Sequence, residues 1–244
     1  MRLKGKVAII TGVSGEGQAG FVVAEALARE GADIAICSRN QSRAEERAQE
    51  LRDKVENAMV LAIEADLTTE EGAKQLIQET LGAYERIDIL VNLAGGLTKY
   101  GPSAELSLAD WDAELNNNLR SVFLCIRAAW PTMNSQGGGK IINFSRAGGV
   151  EGSSANMAAY NSAKAGVDAL TYTFAKEGKH TGIYVNAIAP GLLLTASNIE
   201  SMKPSEEEKS QKWVGLDRIA ETAIFLASSA SDGVNGVIIP VTQS

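Results

Sequence analysis

The chain is poor in the residues that metal, disulfide and hydrolytic chemistry depend on. It has one histidine, His180, and two cysteines, Cys37 and Cys125, among 244 residues. Each cysteine lies in an apolar stretch, so buried free thiols are expected rather than a disulfide framework. No Cys/His/Asp cluster has metal-ligand spacing, so no metal is expected. No Gly-x-Ser-x-Gly elbow marks a serine hydrolase. His180 follows Lys179 near a helix end and reads as a surface residue. Positive charge is also in deficit: 23 Lys+Arg against 30 Asp+Glu give a net charge of -7, which argues against a nucleic-acid surface. No apolar run approaches membrane-spanning length, so no membrane partner is expected. Met1 to Lys6 is basic but leads into a short strand-like run, without the apolar stretch and cleavage site of a signal peptide. A cytoplasmic protein is therefore expected.

What is present is an alternation. Strand-like apolar runs fall at Val7–Ile10, Asp33–Cys37, Met59–Ile63, Ile87–Val91, Lys140–Phe144, Ile183–Ala187 and Val237–Val241. Several are apolar throughout, which fits parallel strands covered on both faces. Helical patterns lie between them, at Gly20–Glu30, Gln41–Val55, Thr69–Tyr84, Trp111–Met133, Ala158–Glu177 and Leu216–Ser228. Such repetition predicts an α/β fold, a doubly wound sheet with right-handed crossovers in one domain spanning 1–244. A charged insertion without strands, roughly Thr195 to Trp213, reads equally as a mobile cover or as a solvated surface helix. With its apolar lead-in it forms a lid-like insertion at about 192–213.

The first strand runs into a loop with glycines at 12, 15, 17 and 20, and then into a helix. Glycines in that setting let the backbone turn tightly against a pyrophosphate, while the helix N-terminus meets its charge. Gly12, Ser14, Gly15 and Gly17 are therefore candidate dinucleotide contacts. The second strand ends in Ser38-Arg39-Asn40, where an NAD site would carry an acidic residue for the ribose hydroxyls. A guanidinium suits a 2′-phosphate, so NADP(H) is favoured over NAD(H). Asp66 and Leu67 close strand three, near an adenine position. Asn92, Ala94 and Gly95 close strand four, where small residues admit a cofactor against the backbone.

Tyr160 and Lys164 stand one helical turn apart, so both face the same way. A free phenol, with a pKa of about 10, is a poor acid at neutral pH, and a neighbouring ammonium lowers that pKa. Tyr160 can then exchange a proton with a carbonyl or alcohol oxygen.

Together these segments resemble the short-chain dehydrogenase/reductase family. The resemblance runs from Leu3-Lys4-Gly5-Lys6-Val7 and the glycine loop through Asn92-Leu93-Ala94-Gly95, Asn117-Asn118-Leu119 and Tyr160-Asn161-Ser162-Ala163-Lys164 to Val185-Asn186-Ala187-Ile188-Ala189-Pro190-Gly191. It implies one Rossmann domain with a seven-stranded parallel sheet. It implies Tyr160 as proton donor/acceptor and Lys164 as the group that lowers its pKa and holds the nicotinamide ribose. Asn118 matches the asparagine that organises a relay water. Pro190, Gly191, Leu193 and Thr195 fall in the segment that meets the nicotinamide carboxamide and phosphates. The family's usual form is a homotetramer, with Val167, Leu170 and Phe174 on a candidate subunit seam.

One departure is visible. Where the family carries its catalytic serine, the chain reads Asn143-Phe144-Ser145-Arg146, and Arg146 takes the catalytic position. The missing hydroxyl could come from Ser145, or from Ser153 or Ser154 folding back, or Arg146 could supply N–H donors. The expected partner is a small carbonyl or alcohol substrate, as for 3-oxoacyl-thioester reductases. Two alternatives stay open. One is an enoyl-thioester reductase of the divergent branch, for which the longer glycine loop speaks and the short Tyr–Lys spacing does not. The other is a dinucleotide-binding protein with weak or lost turnover.

Overall fold

The computed structural model describes residues 1–243. In chain order the elements are β1 Val7–Ile10, α1 Ala19–Arg29, β2 Asp33–Ser38, α2 Gln41–Lys54, β3 Val60–Glu64, α3 Glu70–Tyr84, β4 Ile89–Asn92, α4 Leu108–Leu115, α5 Ser121–Ser135, β5 Gly139–Phe144, α6 Ala158–Glu177, β6 Ile183–Pro190, β7 Leu192–Leu193, α7 Ala196–Met202, α8 Glu206–Lys212, β8 Trp213–Val214, α9 Leu216–Ala227 and β9 Ile238–Val241. Seven strands form one sheet in the order β3-β2-β1-β4-β5-β6-β9, and every neighbouring pair is parallel. β1 is VAII and wholly buried, as a central strand covered on both sides must be. One layer packs Phe21, Leu27, Leu51 and Ile224 on the sheet, and the other packs Leu76, Cys125, Ile126 and Val167.

The order reverses between β1 and β4. The chain winds outward from β1 to β3, then returns to lay β4 on the far side of β1. Loops after those two strands diverge and leave a crevice at their C-terminal ends, where ligands bind in open α/β sheets. Helix starts are set by side chains: Asn40 accepts from Arg43 N (3.0 Å) and Thr69 from Gly72 N (3.0 Å).

Three expectations need correction. The helix predicted over Trp111–Met133 begins at Leu108 and is interrupted by a π-helical turn at Asn116–Arg120. The insertion expected to lack strands is bracketed by β7 and β8, which pair Leu192 with Trp213 and Leu193 with Val214; between them stand α7 and α8. Val167 is no seam residue, since it is buried in the chain's own core between sheet and helix. Among the described residues, no helix is long and apolar enough to cross a membrane.

Candidate active site

The crevice is built around close backbone approach. Gly12 has φ +77°, and a Cβ there would fall 2.7 Å from Ala94 N. Only glycine fits. A Cβ on Gly20 would fall 2.3 Å from the Gly12 carbonyl, so α1 also packs on the loop through a missing side chain. Thr11 ties the two sides together: its Oγ1 accepts from Leu93 N and Ala94 N, both at 3.0 Å. Sequence reading passed over Thr11, and a hydroxyl at a strand end just before the glycines is the signal that could have found it.

The resulting cleft has a volume of about 630 Å³. Of the expected cofactor contacts, Gly12, Ser14, Ser38, Arg39, Asp66, Leu67, Ala94 and Gly95 line it. Gly15, Gly17, Asn40, Asn92, Tyr160, Lys164, Pro190, Gly191, Leu193 and Thr195 are outside its wall. Three of these spend their side chains on the fold itself. Asn40 caps α2, and buried Asn92 donates through Nδ2 to Asn143 Oδ1 at 2.9 Å. Thr195 caps α7 by accepting from Asn198 N. Arg43, Glu46, Arg47, Asn117 and Ser121 also line the cleft and were not anticipated. Arg43 and Arg47 follow Arg39 at helical spacing, a signal that could have flagged them.

The reacting end is arranged as a ladder between β5 and α6, which run in opposite directions. Asn143 Nδ2 donates to Thr171 Oγ1 at 3.0 Å, and Lys164 Nζ donates to the Phe144 carbonyl at 2.8 Å. Both contacts hold the end of β5 against α6, where Tyr160 lies one turn before Lys164. Lys164 Nζ lies 5.7 Å from the Tyr160 ring centroid, so the expected pair is together. Asn118 joins them from the π-turn. Its Oδ1 accepts from Gly96 N (2.8 Å) and its Nδ2 donates to Gly96 O (3.1 Å), which pins the loop after β4. One turn earlier, the fully buried Glu114 carboxylate accepts from Thr98 N at 3.1 Å and from the Thr98 hydroxyl. Sequence reading missed Glu114, because a lone carboxylate on a helix carries no sign of burial.

The electrostatics differ from expectation. Burial pushes the Lys164 ammonium down to about 8, against the pull of Asp168 and Glu114. Burial raises the Tyr160 phenol, and the cation that opposes this is the Arg146 guanidinium; Glu114 adds to the rise. The expected lowering of the phenol by Lys164 is therefore corrected. The ammonium is itself weakened by burial, and it spends a hydrogen bond on Phe144.

Ser145 does not reach the cleft either. It is buried, its Oγ has no well-aligned partner, and it lies beside Asp168, whose carboxyl it helps to hold down against the larger effect of burial. Arg146 has the exposure that Ser145 lacks, and its Nη1 donates to the Gly152 carbonyl at 2.9 Å. Ser154 serves α6, its carbonyl accepting from Asn161 Nδ2 at 2.8 Å. Among the described residues no His/Cys/Asp/Glu group could hold a metal.

A glycine-walled crevice at a sheet's switch point, with a tyrosine–lysine pair at its end, has counterparts among known proteins. The family model described as short chain dehydrogenase matches residues 6–206. The chain is 37% identical to 2-dehydro-3-deoxy-D-gluconate 5-dehydrogenase of Bacillus subtilis, over 98% of this chain and 94% of that one. It is 34% identical to 3-oxoacyl-(acyl-carrier-protein) reductase of Thermotoga maritima, over 99% and 98%. Among solved structures it matches levodione reductase with a TM-score of 0.90 at 30% identity, covering 99% of this chain and 98% of that one. It matches 7α-hydroxysteroid dehydrogenase, solved with NADH and 7-oxo glycochenodeoxycholic acid, with the same TM-score and identity, covering 100% and 95%. The chain belongs to the short-chain dehydrogenase/reductase family. It is an NAD(P)-dependent oxidoreductase, and the cleft walled by Gly12, Ser14, Ser38, Arg39 and Gly95 fits such a coenzyme.

Proposed function

We propose that the protein interconverts a carbonyl compound and its alcohol with NADP(H), and that Tyr160 exchanges the proton. The observation that carries this reading is the pairing of half-buried Tyr160 with buried Lys164 at the end of β5, near the glycine-walled cleft. The bound coenzyme supplies or accepts hydride, which no side chain can do. The protein's own part is to orient and to handle the proton. Lys164 is positioned by the Phe144 carbonyl, and Asn118 holds the Gly96 loop at the cleft wall. Half-buried Tyr160 stands beside Lys164, with its hydroxyl as the proton donor in reduction and the acceptor in oxidation.

The preference for NADP(H) is supported by Ser38 at the end of β2 and by Arg39 and Arg43 on the cleft wall. Among the described residues, neither guanidinium is in an ion pair. NADPH is expected to bind at least about tenfold more tightly than NADH. The double variant Arg39→Ala/Arg43→Ala should bring that ratio close to one in fluorescence titrations. A homo-oligomer is supported by the apolar hollow formed by Leu115, Leu119, Phe123 and Leu170 on the α4–α6 face.

Tyr160→Phe tests the mechanism. Its kcat is expected to fall by roughly 10²–10⁴ while NADPH affinity stays within a few fold, since only the proton exchange is removed. Normal turnover by this variant would refute the reading.

A further inference from the structure

We infer that Arg146 makes this protein an oxo-acid reductase or hydroxy-acid dehydrogenase: its guanidinium receives a carboxylate carried one or two carbons from the reacting carbonyl. The inference rests on the Tyr160 reading and adds the substrate class.

The position of Arg146 is fixed by the backbone. Ser145 N donates to Ile188 O at 2.8 Å and Ala147 N to Pro190 O at 2.9 Å, so the residue between them is held at the open end of the sheet. Lys164 Nζ bonds the Phe144 carbonyl, two residues before Arg146, and lies 5.7 Å from the Tyr160 ring centroid, which puts Arg146 and Tyr160 in one neighbourhood. The phenol feels the guanidinium's charge, as expected for neighbours in one low-dielectric site.

The side chain is braced but not spent. Nη1 donates to the Gly152 carbonyl, and that loop is closed by Gly152 N donating to Gly148 O at 2.8 Å. The Nε/Nη2 edge keeps the fork geometry that matches a carboxylate bidentately. Among the described residues, no Asp or Glu is in ion-pair distance of Arg146. The nearby acids are committed elsewhere: Glu114 to Thr98, and Asp168 beneath Ser145 and Lys164. One free guanidinium edge suits a single negative charge better than a phosphate dianion. The substrate oxygen must meet Tyr160, so the anion meeting Arg146 belongs on a neighbouring carbon.

The test compares 2-oxo and 3-oxo acids with their methyl esters, in steady-state reduction with NADPH. The wild type should favour the acid. In Arg146→Ser the acid-to-ester ratio of kcat/KM should fall about thirtyfold or more, chiefly through KM, as expected for losing a charged hydrogen-bonded partner. Arg146→Lys, which keeps the charge without the fork, should recover part of it. A second reading needs no turnover: malonate should change the fluorescence of bound NADPH in the wild type and lose that effect in Arg146→Ser. Either an acid-to-ester ratio indifferent to Arg146→Ser, or a wild type that reduces esters but no acid, would overturn the inference and leave the Tyr160 mechanism standing. A wild type that binds NADPH but reduces no member of the panel would count against both. Normal turnover by Tyr160→Phe would count against the mechanism alone.

Discussion

At the residue scale, Lys164 gives the site its pH dependence. Its folded pKa of about 8 is below the ordinary lysine value of 10.5. Between those limits the unfolded chain binds more protons than the folded one, so this residue's contribution to stability rises with pH across that window. Below pH 8 the buried charge is present in full and its cost is constant. Urea denaturation should show Lys164→Met losing its advantage over wild type between pH 8 and 10.5; a constant offset would mean the amine does not titrate there. The pairing of Tyr160 with Lys164 was legible because a helix puts such residues on one face. The role of Ser145 was not legible. Its sequence position suits a hydroxyl donor, but the strand carries it beneath Lys164 and beside Asp168, a fact of tertiary packing. Thr11 and Glu114 escaped for the same reason, since each acts on a backbone far away in sequence.

At the element scale, the loop between β1 and α1 shows what the glycines are for. Gly12 combines a left-handed backbone with contact to Ala94. Gly12→Ala therefore meets both strain and overlap. It is expected to cost about 1–3 kcal/mol in urea denaturation and to weaken NADPH binding by at least about tenfold. A variant as stable as wild type with unchanged affinity would show that the two loops can part freely. The helix from Leu108 to Ser135 was legible as a helix but not as a spliced one. An apolar stripe through Trp111, Leu115, Leu119, Val122 and Ile126 suits an unbroken spiral. The π-turn inserts a residue, so the residues turned inward are Glu114 just before it and Asn118 within it, while Leu115 and Leu119 are only half-buried. Nothing in local propensity announces that turn. It is held by what Asn118 and Glu114 bind across the cleft.

On the scale of the whole molecule, the seven-stranded parallel sheet followed from the alternation of short apolar runs with longer helical ones. Strand ends shifted by a residue or two, as with Ile89–Asn92 against the expected Ile87–Val91, because ladder bonds and not hydropathy decide them. A coenzyme that bridges the loops after β1, β2 and β4 should stabilise the domain as a unit. At NADPH one hundred times its Kd, the gain is about 2.7 kcal/mol, or a rise in Tm of roughly 5–10 °C in a thermal melt. Destabilisation or no shift would mean that the cleft does not take the coenzyme in the folded state.

The sheet also has margins, and β9 forms one of them. Ala187 N donates to Val237 O and Gly191 N to Val241 O, so Ile238 and Pro240 turn their main chain outward. Proline has no hydrogen to offer there. A stray strand trying to zip onto this side would find a rung missing at its midpoint. Copies of the protein are thereby discouraged from joining their sheets through this margin.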